Sequence, residues 1–357
     1  MTEGRLDQIL SRFPHVTIAV AGDYFLDKYL EIAPELSETS LETGLEARQV
    51  VGVRCQPGAA GTIVSNLCAL GVGRVLCIGF VGDDGEGFEL VRALRWMGAE
   101  VEGMLVRADR FTPTYCKPML RQPDGTVREL ERLDTKNRAP VPADLEETLI
   151  ASLQAAATEV NAVITQDQVQ EAECGVITTR MREALADLAE AHPSVSWLGD
   201  SRSRIGDYRN LITKPNREEA CRAMHPDSPP HDPPQALACT AALAARVGRP
   251  VYMTLGAEGM ALVTPEEAQA IPTARLTGKL DIVGAGDSAT AGIVAALAEG
   301  AKLEEAGIVG NIVASITVQQ IGTTGTATPE QVRSQFARYQ QVWRELPPPQ
   351  PIKGASR

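Results

Sequence analysis

Short apolar runs of strand length alternate along this chain with longer segments of helical spacing, and that alternation is what most restricts its fold. Residues 16–21, 75–81, 162–164, 195–198 and 211–213 read as buried strands. Between them, 58–70, 86–97, 145–158 and 179–190 read as helices, the first two stopped by Gly71 and Gly98. In the second of these, Phe88, Val91 and Leu94 set an inward face. Strands that are apolar throughout need cover on both faces, so the rhythm predicts a three-layer α/β/α domain with a mostly parallel central sheet. A chain of 357 residues with 44% hydrophobic residues is long enough for one such domain and a small appendage.

The rhythm breaks twice. Residues 29–56 and 112–134 carry shorter, alternating, β-like pieces: 48–54, 114–121 and 126–133, the last two joined by the hairpin signal Gln122-Pro123-Asp124-Gly125. Paired into one small sheet, they would form a β lid over a site; a solvent-facing hairpin without function is the plainer alternative. The organisation expected is a main domain over 1–335 with 29–56 and 112–134 inserted. A helix end and a proline-rich tail follow over 336–357, the tail extended or unfolded and dispensable to the core. Residues 225–234 are proline-rich and read as an exposed insertion before a helix over 235–247; 252–255 and 260–263 read as strands, and 311–318 as an apolar helix.

The net charge of −12 opposes general affinity for nucleic acid or an anionic membrane, so any phosphate site must be local and made largely of backbone donors. The seven cysteines show no C-x-x-C spacing and sit mostly in apolar stretches, which points to a reducing, cytoplasmic setting. None of the four histidines has a metal-ligand spacing. The N-terminus lacks the apolar core of a signal peptide, and no run approaches the roughly 18 apolar residues of a membrane span.

Chemistry concentrates at Asp281-Ile282-Val283-Gly284-Ala285-Gly286-Asp287, which runs directly into the apolar stretch 288–298. Gly284 and Gly286 permit a tight turn and close backbone approach, and a helix beginning there aims unpaired N–H groups and positive dipole at one spot. An anion such as a transferring phosphate suits it. Asp287 beside it is a candidate base for an attacking hydroxyl, or simply a helix cap. Asn216 and Glu219 stand three apart after Lys214-Pro215 and can face one point: an oxygen pair suited to hydrated Mg²⁺, or a capping box with no metal. Thr254, Gly256 and Gly259 form a turn that can pass beneath a nucleotide or merely join two strands. Neither G-x-x-x-x-G-K-[ST] nor G-x-G-x-x-G occurs, which disfavours P-loop enzymes and dinucleotide-binding dehydrogenases.

Taken in order, Gly22-Asp23…Asp27, Gly58-Ala59-Ala60…Asn66, Gly79…Gly82-Asp83-Asp84…Gly87, Lys214-Pro215-Asn216…Glu219, Thr254-Leu255-Gly256…Gly259, Asp281…Asp287 and Asn311 resemble the ribokinase-like (PfkB) carbohydrate kinase family over residues 15–335. Within it, Gly22-Asp23-Tyr24-Phe25-Leu26-Asp27-Lys28-Tyr29, Ala33-Pro34-Glu35, Arg132-Leu133-Asp134 and Gly322-Thr323 resemble the branch that phosphorylates heptose 7-phosphate at its anomeric hydroxyl, without the nucleotidyl-transferring domain of bifunctional members. The resemblance implies ATP and Mg²⁺ as cofactors, a sugar or sugar phosphate as substrate and a homodimer joined through the β lid. It implies Asp287 as base, with Gly284, Ala285 and Gly286 building an anion hole from the N–H groups of Ala285, Gly286 and Asp287. Asp27, Gly58, Ala59, Thr62 and Arg132 would meet the sugar, and Arg54, Lys117 or Arg128 a phosphate on it. Asn216, Thr254, Gly256, Gly259 and Asn311 would line the ATP site, Asn216 and Glu219 would organise Mg²⁺, and Asp281 with the segment near Thr323 would form a monovalent-cation (K⁺) loop.

Three positions depart from the family pattern. Ala59 stands where a second glycine is usual, Thr62 where an asparagine is usual, and Ile282 where a threonine is usual. The acceptor pocket should therefore differ. These departures also motivate one rival, a non-catalytic sugar or nucleotide sensor; a second, a kinase for a nucleoside or other small alcohol, stays open because pocket shape rather than motif decides between hydroxylated acceptors.

Overall fold

The computed structural model describes residues 1–122, 124–227 and 232–352. Helix α1 (Glu3–Arg12) leads into β1 (Thr17–Gly22), after which β2 (Tyr24–Thr39) and β3 (Glu46–Ala59) make a long hairpin. The chain then runs through α2 (Ala60–Ala69), β4 (Arg74–Gly82), α3 (Gly85–Trp96) and β5 (Glu100–Arg107). Next come β6 (Thr114–Arg121), β7 (Val127–Glu129) and β8 (Leu133–Thr135), then α4 (Ala143–Ala157), β9 (Ala162–Asp167), α5 (Thr179–Ala191), β10 (Ser196–Ser201) and β11 (Ile212–Thr213). Helices α6 (Arg217–Met224) and α7 (Pro233–Val247) precede β12 (Val251–Thr254), β13 (Met260–Val263) and β14 (Glu267–Ile271). The last elements are α8 (Ala285–Ala298), α9 (Leu303–Thr317), α10 (Pro329–Arg344) and β15 (Gln350–Pro351).

Ten strands form one sheet in the order β15-β14-β13-β12-β11-β10-β9-β1-β4-β5. It is parallel from β12 to β5 and antiparallel from β12 to β15. Strand β1 at its centre shows why helices cover both faces. Ile18 and Val20 point into one layer with α1, α2, α8, α9 and α10, while Ala19 and Ala21 point into the other with α4, α5 and α7. Helices α8 and α9 pack closely because Gly292 meets Gly310, where a Cβ on Gly292 would stand 3.0 Å from the Gly310 Cα.

The two excursions build a second, five-stranded sheet in the order β3-β2-β6-β7, with β8 also on β6. Strands β2 and β6 are parallel, and the other pairs are antiparallel. Pro123 of the expected hairpin signal lies outside the described residues, as do 228–231 of the proline-rich insertion; the flanking His225, Pro226, Asp227 and Asp232 are exposed.

Three expectations need correction. A boundary at 335 falls inside α10, which continues to Arg344; Trp343 is fully buried and its indole N–H donates to the Pro272 carbonyl at 2.8 Å. The tail is not wholly apart from the core, because β15 pairs with β14 and Ile352 is buried against the α4–α7 layer. In α3 the buried face is Gly87, Leu90 and Leu94, whereas Phe88 is exposed beneath the Arg92 guanidinium. Helix phase was set there by the cap: Asp84 accepts from the Gly87 N–H at 2.7 Å and fixes the first turn.

Candidate active site

The carboxyl ends of β9, β10, β11 and β12 and the amino end of α8 enclose a cleft of about 1230 Å³, with the second sheet along one side. Open α/β sheets bind ligands in the crevice outside the carboxyl ends of their strands.

At its floor, Gly284 caps α8 with φ 78°, a left-handed conformation that a side chain would strain. The turn consumes one expected donor, since the Ala285 N–H donates to the Ile282 carbonyl at 3.2 Å. Among the described residues the N–H groups of Gly286 and Asp287 have no such partner, so the anion hole narrows to these two. A Cβ on Gly286 would have one near neighbour, the Lys214 ammonium at 3.5 Å, so a buried positive charge faces the same spot.

Asp287 receives a hydrogen bond from the Gln166 amide at 3.3 Å. Burial first, and then the charge of Asp200, push its carboxyl up to about 7, with Lys214 opposing, Asp27 adding and Arg202 opposing. A carboxylate poised near neutrality is suited to accept a proton from a hydroxyl. Lys214 pairs with Asp200 at 2.9 Å, and Thr290 donates to the same Asp200 oxygen at 3.1 Å. Burial works against the Lys214 charge, but Asp200, Glu219 and Asp287 outweigh it and hold its pKa above the usual lysine value.

On a second wall, Asn216 and Glu219 form the capping box of α6: the Glu219 N–H donates to Asn216 Oδ1 and the Asn216 N–H to Glu219 Oε2, both at 2.8 Å. Both side chains nevertheless line the cleft, and one Glu219 oxygen is left over from the cap. Burial and Asp200 raise the Glu219 carboxyl. Thr254 bridges Asn216 in parallel β fashion, and Gly256 opens onto the cleft with φ 59°. Gly259 is placed elsewhere: a Cβ there would strike the Ile271 carbonyl at 2.3 Å, so it serves the β12–β13 turn. Asn311 lines the wall but spends its amide on the Ile271 carbonyl at 2.7 Å.

At the opposite end, Asp27 is buried 3.6 Å from the Lys117 ammonium, and burial raises its carboxyl even against Lys117. Gly58 lies beneath it, where a Cβ would come within 2.9 Å of Asp27 Oδ2. Ala59 and Thr62 line the cleft, but Ala59 holds φ 51° and ψ −118°, and the Thr62 hydroxyl turns to the Pro57 carbonyl at 3.4 Å. Arg132 lines it too, clamped to Asp134 at 2.6 and 2.8 Å. Asp281 is not in this cleft. It borders an adjoining chamber of about 370 Å³ with Arg54, Lys117 and Arg121, and its oxygens accept from the Val283 and Gly322 N–H groups at 3.1 and 3.0 Å. The Ile282 side chain is 77% exposed at the lip.

Sequence reading missed Gln166, Asp200 and Arg202. Each sits at or just past the carboxyl end of β9 or β10, and that position was the only available signal. Asp23 of the Gly22-Asp23 motif is a buried carboxylate accepting from the Gln168, Val169 and Val176 N–H groups at 2.7–2.8 Å, which fixes the loop after Gln166. Burial and Asp167 push its carboxyl up to about 6.

Residues 32–331 match the pfkB family carbohydrate kinase description. The chain belongs to that family. Membership carries sugar kinase activity, and the family's ATP and divalent-metal chemistry fits a cleft with free helix N–H groups, a buried lysine and a free Glu219 oxygen. The bifunctional protein HldE of Desulfatibacillum aliphaticivorans is 27% identical over 97% of this chain and 68% of its own length. That of Pelobacter propionicus is 29% identical over 92% and 65%. This pfkB chain thus spans about two thirds of the curated relatives it matches. Among solved structures, Arabidopsis thaliana ribokinase complexed with ribose and ATP superposes with a TM-score of 0.67 at 19% identity, covering 90% of this chain and 98% of that one. Escherichia coli phosphofructokinase-2 in complex with potassium gives 0.68 at 17% identity, covering 91% and 99%. Both show a shared fold. Among the described residues, no helix is long and apolar enough to cross a membrane.

Proposed function

We propose that this protein transfers the γ-phosphoryl group of ATP to a hydroxyl of a sugar phosphate, with heptose 7-phosphate as the leading acceptor. The observation that carries the reading is the meeting of Asp287, raised to about 7, with the free N–H groups at the start of α8. Asp287 takes the acceptor's hydroxyl proton as that oxygen attacks the γ-phosphorus, while the Gly286 and Asp287 N–H groups and Lys214 stabilise the spreading charge. Asn216 and Glu219 would hold Mg²⁺ through phosphate or water, and the ion would neutralise charge on the transferring phosphates. Thr254, Gly256 and Asn311 would border the nucleotide.

The acceptor reading rests on the second sheet, where Asp27 would bind sugar hydroxyls and Lys117, Arg54 and Arg132 offer cations for the acceptor's phosphate. The sheet acts as a lid that excludes water from the transfer. Its outer residues Val51, Val53 and Leu133 are 50%, 60% and 63% exposed, which favours a homodimer through this surface. Asp281 and the Gly322–Thr323 turn would frame a K⁺ site. The seven free cysteines fit a cytoplasmic protein.

The test is ADP release with ATP and Mg²⁺ across sugars, sugar phosphates and nucleosides, run beside Asp287→Asn. Turnover of heptose 7-phosphate, lost in the variant while ATP still binds, supports the reading. Turnover confined to a nucleoside changes the acceptor, and ATP binding without turnover replaces the kinase with a sensor.

A further inference from the structure

Three cations, Lys214, Arg202 and Arg204, stand at or beside the base end of the cleft, and two are already engaged. Lys214 pairs with Asp200 at 2.9 Å. Arg204 is spent on Asp167, at 2.6 and 3.1 Å, and on the Val169 and Gln170 carbonyls. Arg202 is different. Its backbone is fixed, because the Arg202 N–H donates to the Asp167 carbonyl at 3.0 Å and Asp200 and Ser201 pair in register with Gln166 and Asp167. Its side chain lines the cleft, exposed, and among the described residues the guanidinium meets neither a carboxylate nor another acceptor.

An arginine whose backbone is held beside Asp200, with its head group unpaired in the cleft that Asp287 and the start of α8 also line, is available to a charged group bound there. Resting on the kinase reading above, we infer that Arg202 is a catalytic residue, an arginine supplied within the chain that engages the transferring phosphoryl group in the transition state. The acceptor oxygen forms its bond to the γ-phosphorus as the bond to the β-bridging oxygen breaks. The proton goes to Asp287, the electron pair leaves with ADP, and the Arg202 fork neutralises charge on the equatorial oxygens. Lys214 cannot do this alone, because part of its charge is already met by Asp200. Arg202 also faces Asp287 together with Asp200 of β10, Lys214 beyond β11 and Asp27 of β2, and its positive charge helps hold that base ionised.

The test compares the parent with Arg202→Ala and Arg202→Lys on the acceptor most active in the panel above. Arg202→Ala should lower kcat by about 10²–10³-fold with a change of under about threefold in the KM for ATP. Its affinity for ADP with aluminium fluoride, which mimics the transferring group, should fall while affinity for ADP alone holds. The acid limb of kcat should move to higher pH, because Asp287 loses a favourable positive charge. Arg202→Lys should recover charge, and with it the pH limb, but only part of kcat. Unfolding temperatures within about 2 °C of the parent would exclude misfolding as the cause. A parent-like kcat and aluminium fluoride affinity in Arg202→Ala overturn the inference and leave the kinase intact, as does a loss confined to the KM for ATP. A parent that turns over no acceptor overturns both.

Discussion

The two ends of the cleft are built by different means. At the base end, the groups that act are main-chain N–H groups at a helix start and side chains locked by neighbours: Asp287 by Gln166, and Lys214 by Asp200. At the acceptor end they are side chains of a second sheet, Asp27 against Lys117, with Tyr29 between the Lys117 ammonium at 4.8 Å and the Arg54 guanidinium at 3.9 Å from its ring. Phosphoryl transfer presents the same charge whatever the acceptor, so fixed dipoles serve the first end. Selection among hydroxylated acceptors needs shape, and side chains on a separate sheet can vary without disturbing the catalytic floor. All three departures from the family pattern lie at the acceptor end or on the lip, at Ala59, Thr62 and Ile282.

The comparison is broken most severely by Asp287→Asn. Loss of the base should lower kcat by about 10²–10⁴-fold with ATP affinity retained, measured by steady-state kinetics and calorimetry. The same substitution should stabilise the fold above pH 7. Because the folded pKa of about 7 exceeds the unfolded value of 3.8, the native state binds more protons between those limits and stability falls as pH rises through them. Removing the charge should therefore raise the unfolding temperature at pH 8 but not at pH 3.

Asp27→Asn comes next and should act mainly at the other end, with a minor shift of the Asp287 acid limb to lower pH. The expected change is a 10–100-fold or roughly larger rise in acceptor KM, with the KM for ATP unchanged, read from initial rates at saturating nucleotide. A matching loss of ATP affinity would show that the two ends are not separable. Asp200→Asn sharpens the electrostatics of the base end. It removes a negative neighbour from Asp287 and releases Lys214, so the acid limb of kcat should move to lower pH. An unmoved or rising limb would mean that burial alone sets the base.

The smallest effect belongs to Ala59→Gly. Ala59 occupies a backbone region at φ 51° and ψ −118° that glycine adopts without strain, and the substitution should stabilise the protein by about 1 kcal/mol in urea unfolding. Because Ala59 also lines the cleft, the acceptor KM should change while kcat on the preferred acceptor does not.

How much was legible beforehand depended on whether a local signal existed. The strand β13 could be read from a short strand-like run after a glycine turn, β6 from its alternation and the hairpin signal after it, and the turn at Gly284 from the backbone freedom of glycine. Helix α10 was largely missed because its polar outer face hides a buried stripe of Val332, Phe336 and Trp343, which shows only once α1 and α9 are in place. Gln166 and Asp200 carry no sequence pattern at all; adjacent parallel strands bring them from 121 and 87 residues away from Asp287.

The sequence by itself determined the layered α/β class, the glycine turn into α8 and the carboxylate on its first turn, because each follows from periodicity or backbone freedom within a few residues. Only the tertiary structure decided what that carboxylate is. The sheet places Asp200, Lys214 and Arg202 around it and buries it, and a pKa depends on those distances and on exclusion of water rather than on neighbours in the chain.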